Sequence, residues 1–181
     1  AYYDPVARLH NRSGFRRELG QRLAGDAGAS GQIAIALIDI DRFRSLALGL
    51  ADGESERILR SIADRLRASV PDSAVIARTG EDEFAILFER VGNEAHASRI
   101  ARDLLELFRT PWRVGTTVLS LSACVGIALA SHGDASGCLR DAASAVKAAK
   151  ERGGASVAVF DAAMRQRAES VLQAALDIGP A

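Results

Sequence analysis

Two stretches place carboxylates at spacings that could do chemistry: Ile38-Asp39-Ile40-Asp41 and Gly80-Glu81-Asp82-Glu83. The first closes the apolar run QIAIALIDI (32–40), which suits a strand buried on both faces. Asp39 and Asp41 are two residues apart, so in extended chain they share a face. The second stretch lies between the strand-like runs SAVIA and FAILF and reads as the turn of a hairpin. Carboxylates packed into so tight a turn repel one another, and such turns favour small residues with positive φ. A carboxylate at the end of a central strand, beside an acid-tipped hairpin, can hold divalent cations for phosphoryl chemistry. Strand-end aspartates also serve as caps and turn formers, and spacing alone leaves both readings open.

The rest of the composition narrows the class. The chain has 181 residues, 48% hydrophobic and 25% charged, enough for one domain with a real core. Its formal charge is +0, which favours neither nucleic acid nor anionic lipid as a partner. No apolar run approaches the roughly 20 residues that span a bilayer, so this segment is expected to make no membrane contact. The chain starts at Ala1 without an initiator Met and reads as an excised domain, whose parent could still carry a membrane anchor. Cys124 and Cys138 form no disulfide framework or zinc pattern. They are expected to be buried free thiols, which fits a cytoplasmic location.

Several elements must position the acids. NRSGFRRELGQRLAG (11–25) places Phe15, Leu19 and Leu23 on one helical face, with its arginines toward solvent, and DAGASG (26–31) reads as a loop. RFRSLALGL (42–50) suggests a short helix. DGESERILRSIADRLRASV (52–70) stripes Ile58, Leu59, Ile62, Ala63 and Leu66 on one side. The hairpin strands are expected at 73–79 and 83–89, and a helix at 94–108. VLSLSACVGIALA (118–130) alternates like one long strand with a single buried side, and a short strand near Trp112–Val114 can pair with it. An Ala-rich helix (136–153), a last strand (155–160) and a helical tail (161–179) follow. This order implies an α/β (α+β) fold with a mixed central sheet surrounded by helices.

Five ordered segments resemble the GGDEF domain of diguanylate cyclases, which join two GTP molecules into cyclic di-GMP. DPVARLHNRSGF is similar to the family's DxLTGLxNRRxF, ALIDIDRFRSL to LDLDxFKxI, and ARTGEDEFAILF to RxGGDEFxxLL. SACVGIA and AVKAAKERG resemble the family's later strand and its lysine helix. The resemblance implies a palm-like nucleotidyl cyclase, ferredoxin-like architecture over residues 1–161, with 162–181 as a helical connector toward a following domain. It also implies Mg²⁺ held with GTP by Asp39, Asp82 and the carbonyl of Ile40. Glu83 would sit near the reacting 3′-hydroxyl, making Asp82 and Glu83 the catalytic pair. Lys150 would contact phosphates, and Arg78 would be structural. Gly80, Glu81, Glu56 and Ala47 fall at the remaining nucleotide-binding positions.

The sequence departs from the family pattern at several of these positions. Glu81 stands where the family has glycine. In a left-handed turn conformation that change costs roughly 1–2 kcal/mol. A phosphate charge about 6 Å away adds a repulsion of about 3 kcal/mol at an effective dielectric near 20. Ala47 replaces the asparagine that reads guanine, and Glu56 replaces an aspartate with the same task. Gly154 replaces an arginine that contacts phosphate, and Ala143 and Lys147 replace an Asp and a Tyr. The RxxD of the inhibitory product site falls on Pro71-Asp72-Ser73-Ala74 and has neither of its charged residues. The resemblance therefore implies a degenerate domain of impaired activity. Such a domain would act as a GTP-sensing or dimerisation module, as a homodimer or beside a cyclic di-GMP phosphodiesterase (EAL) domain. The alternative is an active diguanylate cyclase, in which two such domains face each other.

Overall fold

The computed structural model describes residues 1–25, 32–130 and 135–178. In chain order the elements are β1 (Tyr3–Asp4), β2 (Leu9–His10), α1 (Arg12–Ala24), β3 (Gln32–Ile40), α2 (Phe43–Leu48), α3 (Glu54–Ser69), β4 (Val75–Arg78), β5 (Glu83–Val91), α4 (Glu94–Glu106), β6 (Trp112–Val114), β7 (Thr117–Leu119), β8 (Ala123–Ala130), α5 (Ala135–Glu151), β9 (Val157–Val159) and α6 (Ala162–Asp177). Seven strands form one sheet in the order β1-β2-β4-β5-β3-β8-β9, and β6 and β7 make a separate hairpin. The inner four, β4-β5-β3-β8, are antiparallel throughout, whereas β2 pairs with β4 and β9 with β8 in parallel. With α3 and α4 as crossovers, the inner strands make a ferredoxin-like βαββαβ unit. The loop expected at 26–31 lies outside the described residues.

The unbroken apolar run of β3 follows from burial on two sides. Ala34, Ala36, Ile38 and Ile40 face the layer that holds Ile58, Ile62 and Leu66 of α3 and Ala97, Ala101 and Leu104 of α4. Ile33, Ile35 and Leu37 face the opposite layer, with Phe15 and Leu19 of α1 and Cys138, Ala142 and Val146 of α5. A fully buried aliphatic side chain is worth about 1.5–3 kcal/mol, so the alternating faces of this strand tie the two layers together. The stripe read along α3 is buried as expected.

Two strand expectations need correction. The segment 118–130 is not one long strand with a single buried side. Thr117–Leu119 turns back on Trp112–Val114, and only Ala123–Ala130 enters the main sheet, where it is buried on both faces. The cause is register. Ile40, the last residue of β3, pairs with Ala123, and the Asp41 amide donates to the Ser122 carbonyl before the chain turns into α2, so the residues before Ser122 have no ladder partner in that sheet. The two-residue strands β1 and β2 were not foreseen, because two residues are too few to show a period.

Helix α5 lies very close to β8. A Cβ placed on Gly126 would stand 2.2 Å from the backbone nitrogen of Val146 and 2.8 Å from the carbonyl oxygen of Ala142. Ala142, Ala145 and Ala149 are fully buried there, so small side chains on both elements set the spacing. That spacing fixes how far Lys150, at the end of the helix, reaches over the sheet. Gly126→Ala is therefore expected to destabilise the fold by about 1–3 kcal/mol or more in urea unfolding. Gly20→Ala is the control: an added Cβ there has no neighbour within 4 Å. It should stabilise α1 by about 0.5–1 kcal/mol.

Candidate functional site

The backbone of the acidic turn is tied down from three sides. The amide nitrogens of Thr79 and Gly80 both point to the carbonyl oxygen of Glu83, at 3.0 and 3.4 Å. The amide of Ile40 donates to the Asp82 carbonyl at 3.0 Å, which extends the β3–β5 ladder into the turn. Arg78 donates from one nitrogen to the Glu81 carbonyl at 2.8 Å and from the other to Asp4 Oδ2 at 3.2 Å. Asp4 also accepts from the Ala7 amide at 2.7 Å, so Arg78 fastens the turn to the N-terminal arm.

The expected left-handed backbone at Glu81 is absent. Among the described residues the non-glycine positions with positive φ are Arg8, Arg42, Arg90 and Ala155. Backbone hydrogen bonds and Arg78 close this turn without a left-handed residue, so the strain assigned to Glu81 does not arise. Its carboxylate is also paired: Arg44 Nε donates to Glu81 Oε2 at 3.1 Å, and the Glu81 side chain is 59% exposed. Left-handed backbone occurs instead at Arg42, Gly153, Gly154 and Ala155, all of which line the neighbouring pocket.

That pocket, of about 870 Å³, opens at the end of β3 and contains Asp39, Ile40, Asp82, Arg44 and Lys150. Lys150 Nζ lies 2.7 Å from Asp39 Oδ2, and Asp39 is only 17% exposed. This hydrogen bond is the main cause that raises the Lys150 pKa, against an opposing effect of burial. The Asp82 carboxyl is pushed above its ordinary value, first by burial and then by the charge of Asp39; its own backbone amide, Arg44 and Lys150 oppose the rise. Two carboxylates near enough to disturb each other, beside a strand-end carbonyl, form a hard oxygen donor set. Such a set suits Mg²⁺, which keeps waters and substrate phosphates as its other ligands. Among the described residues no group of three or more His, Cys, Asp or Glu side chains converges, so those other ligands would have to come from solvent or substrate.

Asp41 is engaged otherwise. It accepts from Ser122 Oγ at 2.6 Å, from the Ala155 amide at 3.0 Å and from Cys124 Sγ at 3.4 Å. A Cβ on Gly154 would lie 3.2 Å from its Oδ2. Asp41 therefore joins the ends of three elements in the pocket floor.

The remaining sequence-selected residues are scattered. Glu83 starts β5 directly opposite Asp39, accepts from Thr79 Oγ1 at 2.6 Å, and lines a second recess, not the main pocket. Gly80 and Glu81 stand at the turn outside the pocket lining, and Glu81 reaches it only through Arg44. Ala47 packs against the core, Glu56 is exposed on the first turn of α3, and neither lines the pocket. Sequence reasoning missed Arg44 and Ser122. Arg44 holds the place of the lysine in the LDLDxFKxI pattern, and that match was the available signal.

The family profile described as "Diguanylate cyclase, GGDEF domain" matches residues 1–156. The chain belongs to the GGDEF family. Diguanylate cyclase TpbB of Pseudomonas aeruginosa is 35% identical over 156 residues, which cover 84% of this chain and 36% of that protein. The cyclic di-GMP phosphodiesterase NbdA of the same species is 27% identical over 177 residues, 96% of this chain and 22% of that protein. The solved GGDEF domain of TpbB superposes with a TM-score of 0.83 at 30% identity, covering 92% of this chain and 99% of that one. This GGDEF domain thus spans only about a fifth to a third of the curated relatives it matches. Its fold is the palm-like one of that family.

The electrostatics of the pocket give a stability prediction. A carboxyl whose folded pKa is raised adds most stability below its ordinary value of 3.8, and that contribution is lost as pH rises through the folded value. In EDTA, Asp82→Asn should flatten the fall in Tm over that window and raise Tm by a few degrees at neutral pH. Lys150→Met should lower Tm by leaving Asp39 without its counter-ion. An Asp82→Asn protein that melts lower than the wild type at pH 7 would contradict this reading.

Proposed function

We propose that this GGDEF domain has an impaired active site and acts as a regulatory module in cyclic di-GMP signalling, binding GTP weakly with Mg²⁺. One observation carries the reading. The acidic pair Asp39 and Asp82 is kept, while Lys150 and Arg44, two of the three basic residues that line the pocket, are already paired with acids of the chain itself. A triphosphate entering the pocket must compete with Asp39 for Lys150 and with Glu81 for Arg44. Ala47 has no polar atom in its side chain with which to read a base, and Glu56 stands outside the pocket. Both differences weaken the nucleotide complex.

In this reading Asp39, Asp82 and the Ile40 carbonyl would hold Mg²⁺, which would neutralise charge on the bound triphosphate. Lys150, now bonded to Asp39, would be the residue that contacts a phosphate in the occupied site. The resemblance to the family assigns Glu83, held by Thr79, the proton of a ribose hydroxyl from a second domain, although Glu83 lines the neighbouring recess and not this pocket. The neighbour in the parent chain is taken to be a cyclic di-GMP phosphodiesterase (EAL) domain reached through α6, in a cytoplasmic protein. The likeness to the phosphodiesterase NbdA along nearly the whole chain supports this arrangement.

One finding favours the second reading, an active diguanylate cyclase. Glu81 adopts ordinary backbone and its charge is paired, so two of the costs expected for replacing glycine are reduced. An exposed ion pair of this kind is worth only about 0–1 kcal/mol, so phosphate could displace it.

Calorimetry and product analysis separate the two readings. The regulatory reading expects GTP to bind with Mg²⁺ more weakly than about 10 µM, with no cyclic di-GMP formed from labelled GTP at high protein concentration. Glu81→Gly should tighten GTP by up to about fivefold by releasing Arg44. Cyclic di-GMP synthesis by the wild-type chain would establish the second reading instead.

A further inference from the structure

The recess beside Glu83 differs in charge from the main pocket. It measures about 270 Å³ and lies between α1 and α5 against the sheet. Arg12 and Arg16, one turn apart on α1, line it together with Arg140 of α5. All three are exposed, and none of their side chains has a hydrogen bond or ion pair among the described residues. The acids that could have served them are committed elsewhere. Glu18 lies beside Arg17 and Arg22, Glu89 pairs with Arg22, and Asp141 pairs with Arg165. Glu83 is the one carboxylate on the wall, and it already accepts from Thr79. Three arginines therefore line one small cavity that carries a single carboxylate, and their like charges repel one another. The floor is apolar, built from Phe15, Leu37 and Leu139.

We infer that this recess is a second binding site, for a phosphate-bearing ligand of at most mononucleotide size. Guanidinium groups bind phosphate oxygens through paired, charge-assisted hydrogen bonds, and a bound dianion removes the repulsion among them. The apolar floor accepts a flat or aliphatic body beside the phosphate. The volume lies below the range of about 300–1,000 Å³ typical of drug-sized ligands, which limits the ligand to a small one. The inference needs neither a metal ion nor the Asp39–Asp82 pair, so it stands independently of the reading of the main pocket.

The test uses amide NMR shifts of the chain in EDTA, with GMP as probe and guanosine and inorganic phosphate as separate arms. GMP is expected to move the amides of Arg12, Arg16, Thr79, Ser136 and Arg140, with inorganic phosphate moving a subset and guanosine none. Arg16→Ala with Arg140→Ala changes two exposed side chains and should weaken GMP about tenfold or more. Shifts confined to Arg44, Lys150 and Gly154, equal shifts with guanosine, no shifts up to about 10 mM GMP, or unchanged affinity in the double variant would each overturn the inference.

Discussion

The register of β3 against its two neighbours decides where every acid at this end of the sheet can point. Asp39 stands opposite Glu83 on one side and Cys124 on the other. The next amide, that of Ile40, holds the Asp82 carbonyl. A slip of one residue would turn Asp39 into the opposite layer and bring Ile38 to the pocket. The apolar residues of β3 prevent that slip. Each face carries its own set of buried side chains, and exchanging them would leave both layers mispacked. The chemistry at the strand end is thus held in place by burial several residues away.

Electrostatics follow from that placement. Burial first, and then the charge of Asp39, raises the proton affinity of Asp82, and Arg44 and Lys150 oppose the rise. Lys150 can reach Asp39 because α5 sits directly on β8, which Gly126 permits. Arg44 reaches the turn because β3 ends at Ile40 and a left-handed Arg42 caps α2 only two residues later. In this account the domain keeps the acids that attract a cation and pairs two of the pocket's three basic residues with its own carboxylates.

Much of this was legible in the sequence, for physical reasons. Strand β3 and helix α3 show their burial in their patterns, two-sided in one and striped in the other. The break between β7 and β8 was hidden, because Leu119, Leu121 and Ala123 continue the alternation while the register of β3 ends the ladder. The partner of Glu81 was also hidden, since Arg44 lies 37 residues away in the chain. The left-handed turn expected at Glu81 failed because backbone hydrogen bonds and Arg78 close the turn by another route. The arginines of α1 read as a solvent face. Only the tertiary fold, by adding Arg140 from α5, turns two of them into the wall of a recess.

The central claim is that Asp39 and Asp82 still hold a divalent cation in a site that does not turn GTP over. Anomalous diffraction from crystals soaked with Mn²⁺ and GTP tests it most directly. The account predicts a manganese peak between the two carboxylates, Lys150 moved off Asp39, and intact GTP beside it. An empty site with Lys150 still bound to Asp39, or cyclic di-GMP in place of GTP, would contradict it.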